Sequence, residues 1–260
     1  MTVNYGPNRY DVVGSFLRPA KLKKAREDFN TGAIDAAALT AIEDECITDL
    51  IAKEKKAGLR FITDGEFRRA TWHLDFMWAF EGIGHSTTED GLPFHDEAAK
   101  IDDTYLTGKI SLTGEHPFVE HFRFVASFED ESTTAKLTIP APAQFIEQFI
   151  MPMNRDTTHA VYESDALLED DIVAAYLAFI EQVHAAGCRN LQFDDCSWGC
   201  LVDPKAELFF GADQAGLARI KETLLRVNNR VLDAAPADLC INTHVCRGNF
   251  HSTWACEGGY

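Results

Sequence analysis

The stretch DDIVAAYLAFIEQVHAAGCRNLQFDD, residues 170–195, contains the unit that decides the fold. Residues 170–186 place apolar side chains on one face at helical spacing, and Gly187 suits the position after a helix. The short apolar run 190–193 follows and ends at two aspartates. We therefore predict a helix followed by a buried strand whose carboxyl end carries acids. The helical face consists of Ile172, Val173, Tyr176, Leu177, Ile180 and Val183.

The same unit occurs earlier in the chain. Residues 39–57 have helical periodicity, and Thr40 and Glu43 have the spacing of a capping box at the start of that helix. The apolar run 60–63 follows and ends at the polar residues 64–66. We predict a second helix and strand here, again with acids after the strand.

A third unit lies near the end of the sequence. Residues 213–233 have a helical apolar face, and Asp213 is a suitable N-cap for that helix. The apolar run 239–243 then leads into His-Val-Cys at residues 244–246. Two more apolar runs resemble strand ends, one before Gly14 and Ser15 and one before residues 140–142.

This alternation predicts the fold class. Strands that alternate with helices form parallel sheets, and polar residues at the carboxyl ends of short apolar strands are typical of a (β/α)8 barrel. We predict an α/β protein with a single TIM-type barrel domain over residues 1–260. A doubly wound open sheet is the alternative, but no G-x-G-x-x-G motif follows any of the predicted strands.

One region does not follow the pattern. Residues 83–103 are polar and aperiodic, which predicts a long loop over the barrel. In residues 118–129, His121 and Arg123 alternate with phenylalanines, so strands are expected there. We therefore expect a loop and strand excursion over about residues 83–130.

Charge and cysteine content limit the classes of partner. The net charge of −17 repels nucleic acid and anionic membranes, and no apolar run approaches the ~18 residues that span a bilayer. Seven cysteines without a signal peptide indicate reduced thiols and a cytoplasmic location. We expect small-molecule partners.

The basic clusters are interpreted as solvated helix faces, or alternatively as a site for an anionic substrate. They comprise Lys21, Lys23, Lys24, Arg26, Arg68 and Arg69.

His244 and Cys246 are candidate metal ligands. Residues two apart on a strand point to the same side, and imidazole and thiolate are preferred zinc donors. The alternative is a surface histidine beside a core cysteine. Packing is favoured over metal binding for four further groups: Cys196, Cys200, Cys256 with Glu257, and His251.

Two acids that follow strands are candidates for substrate binding or catalysis. Glu66 and Asp194 would face a common mouth, where they could hold an ammonium group or act as general acid and base. The alternative for both is capping of a following helix. Gly14 allows close approach of the backbone, and the hydroxyl of Ser15 suits a carboxylate.

Four motifs, in order, resemble the catalytic domain of the cobalamin-independent methionine synthase family, in particular its short single-barrel members. They are VGSFLRP (residues 13–19), GLRFITDGEFRR (58–69), LQFDD (191–195) and INTHVCRGN (241–249). The resemblance covers nearly the whole chain and implies a zinc-dependent enzyme that methylates the thiol of homocysteine to give methionine. The donor would be 5-methyltetrahydrofolate or a related compound, and a homo-oligomer remains open.

The resemblance also implies roles for single residues. His244 and Cys246 would be zinc ligands, and Glu66 and Asp194 would hold the amino group of homocysteine. Residues 140–142 would lie on the side of the methyl donor. Gly14 and Ser15 would cradle the carboxylate of homocysteine.

The sequence departs from the family in one respect. The family takes a glutamate and a second cysteine as zinc ligands from strand ends after the H-x-C strand, whereas this sequence ends at Tyr260. We expect a fragment that lacks the last two β/α units; the alternatives are that Cys256, Glu257 or a partner chain replaces the missing ligands, or that the zinc site is absent. The alternative functions are another thiol alkyltransferase, a barrel similar to uroporphyrinogen decarboxylase, or a truncated binding barrel without catalysis.

Overall fold

The computed structural model describes residues 10–87, 91–93, 98–100 and 102–259. The α/β class is confirmed. The helices are α1 Ala20–Asn30, α2 Ala36–Lys56, α3 Leu74–Met77, α4 Pro117–Ala126, α5 Pro142–Ile150, α6 Arg155–Val161, α7 Asp165–Ala185, α8 Ser197–Val202, α9 Ala206–Phe210 and α10 Gln214–Ala234. The strands are β1 Phe61–Ile62, β2 Glu81–Ser86, β3 Gly91–Pro93, β4 Ala98–Lys100, β5 Asp103–Ser111, β6 Thr134–Ala135, β7 Leu137–Pro140, β8 Asn190–Asp195 and β9 Cys240–Val245.

The strands that follow helices are parallel, as predicted. β1 pairs with β6, and β7, β8 and β9 form a three-stranded parallel sheet in chain order. Only Lys136 separates β6 from β7, and its amide donates to the Ile62 carbonyl at 2.9 Å. Residues 134–140 therefore pair with β1 at one end and with β8 at the other. Within the described residues these parallel strands form open sheets, and a closed eight-stranded barrel is not seen.

The expected strand end before Gly14 is wrong for the described residues 11–13, which belong to no strand. Side chains hold this segment in place of a β-ladder. The Lys136 ammonium donates to the Val12 carbonyl, and the Gln192 amide donates to the Val13 carbonyl at 2.6 Å. The segment is thus attached to Lys136, between β6 and β7, and to Gln192 on β8 without being part of the sheet.

The helix starts follow from local capping. Asp213 caps α10 as predicted, because its side chain accepts the Gly216 amide at 2.8 Å. The capping box at Thr40 is wrong, because α2 begins four residues earlier, where Asp35 accepts the Ala38 amide at 2.8 Å. Glu43 is instead buried in ion pairs with arginines.

The strands expected in residues 118–129 are also wrong, since residues 117–126 form α4. Pro117 occupies the first turn, where its missing N–H costs nothing, and the His116 ring accepts the Phe118 amide at 3.1 Å. Phe118, Phe122 and Val125 fall on one buried face at helical spacing. The alternation of His121 and Arg123 with phenylalanines over a few residues was too short to distinguish a strand from a helix.

The excursion before α4 contains antiparallel pairs. β2 pairs with β5, and β3 pairs with β4. The loop expected at residues 83–103 is therefore partly strand, and the rest of that expectation (residues 88–90, 94–97 and 101) lies outside the described residues.

An aromatic cluster fills the core between the parallel strands and the helices. Phe76 is in edge or tilted contact with Phe80, Phe145, Tyr176 and Phe179, at ring-centroid distances of 5.0 to 6.5 Å. All of these rings are buried. Such rings contribute large apolar areas, and they fix the helices against the sheet whose carboxyl edge carries the candidate site. Among the described residues, no helix is both long enough and apolar enough to cross a membrane.

Candidate functional site

Three parallel strands bring candidate residues to one edge of the sheet. Asp194 lies in register with His244 on β9 and with Pro140 on β7. The Asp194 carbonyl also accepts the Ala141 amide at 2.8 Å. Pro140, Asp194 and His244 therefore lie side by side at the carboxyl ends of the three strands.

Asp194 is a buried carboxyl group with a fixed orientation. Its Oδ1 accepts a hydrogen bond from Gln192 at 2.6 Å. Burial, and then the negative charge of Glu66, raise the pKa of Asp194 to about 7. A cation that enters the site would remove this penalty and hold the carboxylate ionised.

Glu66 lies in a tight turn after β1. Its φ of 57° is in the left-handed region, which costs energy for a residue with a side chain. The Thr138 hydroxyl donates to Glu66 Oε1 at 3.2 Å, and burial raises the pKa of Glu66 while the charge of Arg69 opposes that rise. Glu66 and Asp194 thus share one buried electrostatic environment.

Arg69 is the counter-ion of this environment. It is 1% exposed, and its Nη1 lies 3.7 Å from Glu66 Oε1. Its Nη2 donates to the Thr138 carbonyl at 2.6 Å, and the guanidinium lies 4.6 Å from the Phe118 ring centroid. The prediction of a solvated basic face is wrong here, because the side chain is enclosed by carbonyl oxygens, an acid and an aromatic ring.

The other residues of the basic clusters include both exposed and buried side chains. Lys21 and Lys24 have side chains 51% and 66% exposed, in agreement with a solvated helix face. Arg68 is only 7% exposed and pairs with Glu43 and Asp44. Among the six residues of these basic clusters, Arg69 is therefore the fully buried one, and Arg68 beside it is nearly buried.

Gly14 and Ser15 are exposed, and the residues on either side of them, Val13 and Phe16, are held by hydrogen bonds. The Gln192 amide that binds Asp194 also binds the Val13 carbonyl. On the other side, the Phe16 amide donates to the Gly65 carbonyl at 3.2 Å, next to Glu66. The backbone of this segment is therefore attached at one end near Asp194 on β8 and at the other next to the turn that carries Glu66.

Lys136 anchors the same segment from inside the protein. Its side chain is 0% exposed, and its Nζ lies 2.9 Å from Asp11 Oδ2 and 3.0 Å from Gln192 Oε1. A buried ammonium needs such partners, because its desolvation otherwise costs several kcal/mol. Lys136, Gln192 and Asp194 form a continuous hydrogen-bonded chain from the N-terminal segment to the candidate site.

The thiol of Cys246 is polarised by its neighbours. The Gly248 amide donates to its sulfur at 3.3 Å, and the thiol of Cys196 and the ring of His244 also bond to it. The thiol of Cys196 is the largest cause, and together these donors lower the pKa of Cys246 against the effect of burial. The same contact raises the pKa of His244.

These residues fit zinc as two ligands. His244 and Cys246 supply the imidazole and thiolate that zinc prefers, and their side chains are in contact. Among the described residues, however, no group of three or more His, Cys, Asp or Glu side chains is arranged to hold a metal ion. Cys256 instead contacts Cys200, and His251 stacks on Phe250 at 4.1 Å.

Sequence reasoning missed the supporting residues of this edge: Arg69, Lys136, Thr138, Gln192 and Cys196. One signal was present for Gln192, because it lies two residues before Asp194 and therefore on the same side of β8. No comparable signal marked Arg69 or Lys136, since charged residues are normally exposed.

Two curated proteins of Bacillus subtilis strain 168 are similar to this chain along almost all of its length. YxjG is 35% identical over 254 residues and YxjH is 36% identical over 257 residues, and both are uncharacterized. Each match covers 98% of this chain but only 65% of the relative, so the chain spans about two thirds of their length. No protein-family profile matches the chain.

Two solved structures have a similar fold. A Listeria monocytogenes protein described as a candidate vitamin-B12-independent methionine synthase superposes with a TM-score of 0.73 at 33% identity, over 93% of this chain and 66% of that one. A B12-independent methionine synthase from Shewanella sp. W3-18-1, in complex with selenomethionine, superposes with a TM-score of 0.58 at 17% identity, over 83% of this chain and 54% of that one. The chain therefore has a methionine-synthase-like fold.

Proposed function

We propose that this chain is the homocysteine-binding part of a zinc-dependent methyltransferase that converts homocysteine to methionine. The observation that carries the proposal is the meeting of a buried acid pair, Glu66 and Asp194, with His244 and Cys246 at one sheet edge. The proposal includes a (β/α)8 barrel in the complete protein, with the last two β/α units lying beyond this chain. The reduced state of all seven cysteines suits a cytoplasmic enzyme.

The acid pair suits the amino group of homocysteine. Two buried carboxylates repel each other and raise the pKa of Asp194, as described above. An ammonium group between them relieves this repulsion, so binding of the substrate cation and ionisation of both acids support each other. In this proposal Gly14 and Ser15 provide a backbone and a hydroxyl for the substrate carboxylate.

The thiol of the substrate is placed at the other end of the site. His244 and Cys246 would hold zinc, and zinc would supply the Lewis acid that keeps the substrate sulfur deprotonated at neutral pH. A free alkyl thiol has a pKa of ~8.5 and is mostly protonated at pH 7. The distance from the acids to His244, set by the register of β8 and β9, orients the substrate with its sulfur toward β9.

Methyl transfer requires a donor on the open side of the sulfur. A bond forms between the substrate sulfur and the methyl carbon, and the bond from that carbon to the donor breaks with its electron pair leaving on the donor. Pro140 is in register with Asp194, and in this proposal residues 140–142 lie on the donor side. We propose 5-methyltetrahydrofolate or a related methyl donor.

The arginines argue against the decarboxylase-like alternative. Such a barrel needs arginines that are free to bind substrate carboxylates. Arg68 and Arg69 are buried in pairs within the protein, and Arg18 donates to the Glu66 and Arg69 carbonyls at 3.0 and 3.2 Å.

The decisive experiment is methionine formation from homocysteine, measured with 5-methyltetrahydrofolate and with methylcobalamin. The full gene product and the 260-residue chain are assayed with Asp194→Asn and, as a matched control outside the site, Asp238→Asn. We expect methionine from the full product, a loss of 100-fold or more in Asp194→Asn by analogy with other substrate-positioning groups, and no change in the control. Absence of methionine with both donors would reject the proposal.

A further inference from the structure

A second pair of thiols lies outside the site described above. Cys200 is in α8, and Cys256 is in the segment that follows β9. Their sulfur atoms are 3.3 Å apart, and the two residues are only 6% and 7% exposed. A disulfide bond is about 2.05 Å long, so the sulfurs need to approach by a little over ~1 Å to form one.

The backbone on both sides of this pair is tightly fixed. The Cys256 amide donates to the Arg247 carbonyl at 3.0 Å, and the Glu257 amide donates to Asp203 Oδ2 at 2.8 Å. A side chain at Gly258 would overlap the Val202 carbonyl, and one at Gly199 would lie 2.7 Å from the Cys246 carbonyl. The C-terminal segment is therefore packed directly on α8, and the contact between the sulfurs is held by the backbone.

The two thiols differ in access and in charge. Cys256 lines a shallow surface cavity of about 480 Å³ together with Arg247, Trp254, Glu257 and Gly258, and Cys200 does not. The two sulfurs are in hydrogen-bond contact, and this contact lowers the pKa of Cys256 and raises that of Cys200. Cys256 has the properties of an attacking thiolate, and Cys200 those of a resolving thiol behind it.

We propose that Cys256 and Cys200 form a thiol–disulfide exchange site for low-molecular-weight disulfides. The Cys256 thiolate attacks one sulfur of the small disulfide, forming a mixed disulfide and releasing one small thiolate. Cys200 then loses its proton and attacks the Cys256 sulfur, which forms the Cys200–Cys256 bond and releases the second small thiol. The protein dithiol is oxidised, the small disulfide is reduced to two thiols, and excess small thiol reverses both steps.

Three other cysteines differ from this pair in their surroundings. Cys188 is 0% exposed, and its thiol points at the Asn190 carbonyl at 3.4 Å. Cys196 and Cys246 contact each other but belong to the candidate metal site. The bond between Cys200 and Cys256 would fix the segment after Cys246 on α8, which begins directly after Cys196.

The test is exposure of the folded chain to oxidised glutathione, followed by digestion and mass spectrometry of the peptides. We expect one cross-link, between the peptides of Cys200 and Cys256, which dithiothreitol reverses. In Cys200→Ser we expect glutathione to remain attached at Cys256, and in Cys256→Ser we expect the loss of thiols to slow at least tenfold. Cys188→Ser serves as the matched control and keeps the wild-type cross-link.

Three outcomes would overturn the proposal. One is a folded chain that keeps all its thiols under conditions where the urea-unfolded chain is oxidised. The second is a cross-link that joins Cys196 to Cys246 instead. The third is a Cys200→Ser protein in which no glutathione accumulates at Cys256. Circular dichroism of each variant separates these results from a failure to fold.

Discussion

Strands β8 and β9 have similar sequences of apolar residues followed by polar ones, but they lie in different surroundings. All six residues of β8 are buried, whereas the residues of β9 are exposed or half-buried, because β9 is the edge of its sheet within the described residues. Asp194 on β8 accepts a hydrogen bond from Gln192, which Lys136 holds in turn. Glu66 beside it accepts from Thr138 and pairs with Arg69. The thiol and imidazole at β9 bond mainly to each other and to Cys196.

This difference divides the candidate site into two ends. Within the described residues, the acid end, with Glu66 and Asp194, has its hydrogen-bonding partners, whereas the β9 end, with His244 and Cys246, has only two zinc donors. The acid end is preorganised by hydrogen bonds and by a buried counter-ion, so it is rigid before any ligand binds. The β9 end offers two zinc donors and a free edge, where a further strand could pair and further ligands could be supplied. Mutations at the two ends should accordingly affect different quantities.

The largest effect on stability is expected for Arg69→Met at the acid end. This change leaves Glu66 buried without its counter-ion and removes hydrogen bonds to Thr138, so the free energy of unfolding should fall by about 3–5 kcal/mol. Urea denaturation measures this change in the free energy of unfolding. Arg226→Met, at a residue whose side chain is 52% exposed, is the control and should change stability by less than about 1 kcal/mol. Equal effects of the two variants would contradict a buried counter-ion at Arg69.

The second-largest effect on stability is expected for Lys136→Met, which breaks the attachment of residues 11–13. We expect a loss of about 2–3 kcal/mol, somewhat less than for Arg69, because Asp11 can turn to water when its partner is gone. Hydrogen exchange of the Phe16 amide should speed up at least tenfold, since that amide bonds to Gly65 only while the segment is docked. Lys55→Met, which removes a more exposed pair with Asp130, should leave Phe16 unchanged.

A smaller effect on stability, but a complete effect on metal content, is expected for Cys246→Ala at β9. The free energy of unfolding should change by about 1 kcal/mol or less, because the residue is half-buried at a sheet edge. Elemental mass spectrometry of the zinc-loaded protein should show about one zinc per chain in the wild type and none in the variant. Zinc that is retained in Cys246→Ala would place the metal elsewhere.

The smallest expected effect is a pH dependence of the free energy of unfolding, caused by the buried acid Glu54. Burial raises the pKa of Glu54, which accepts hydrogen bonds from Thr63, to about 7. The folded state therefore binds this proton more tightly than the unfolded state, so its contribution to stability is present below the usual pKa near 4.5 and is lost as pH rises through 7.

Replacing Glu54 by Gln should remove this part of the pH dependence. Between pH 5 and pH 8 the wild type should lose on the order of 1 kcal/mol more than Glu54→Gln. Urea denaturation at both pH values measures the difference. Parallel pH profiles for the two proteins would show that Glu54 has an ordinary pKa.

The comparison of β8 with β9 also explains what the sequence could predict. Periodicity identified α7 with β8 and α10 with β9, and the acids and the H-x-C motif fell at the strand ends as expected. Local patterns set these features. The burial of Arg69 and Lys136 depends on partners more than fifty residues away in sequence, such as Thr138 and Gln192, so no local pattern reports it.

Two errors have the same origin. Residues 117–126 carry signals for both a strand and a helix, and packing against the core decides for α4. Residues 11–13 resemble a strand end, but no neighbouring strand pairs with them within the described residues, and side chains hold them instead. In both cases the outcome depends on distant residues.

The double attachment of residues 11–13 sets an order of events during folding. Lys136 and Gln192 lie 56 residues apart in sequence, and their mutual hydrogen bond needs β7 and β8 to be paired. The hydrogen bond from Gln192 to the Val13 carbonyl can therefore form only after residue 192 has been made and has joined its sheet. This contact closes a loop of 179 residues, so it is expected to form after the local contacts of the helices. Residues 11–13 are thus synthesised well before the last contact that attaches them.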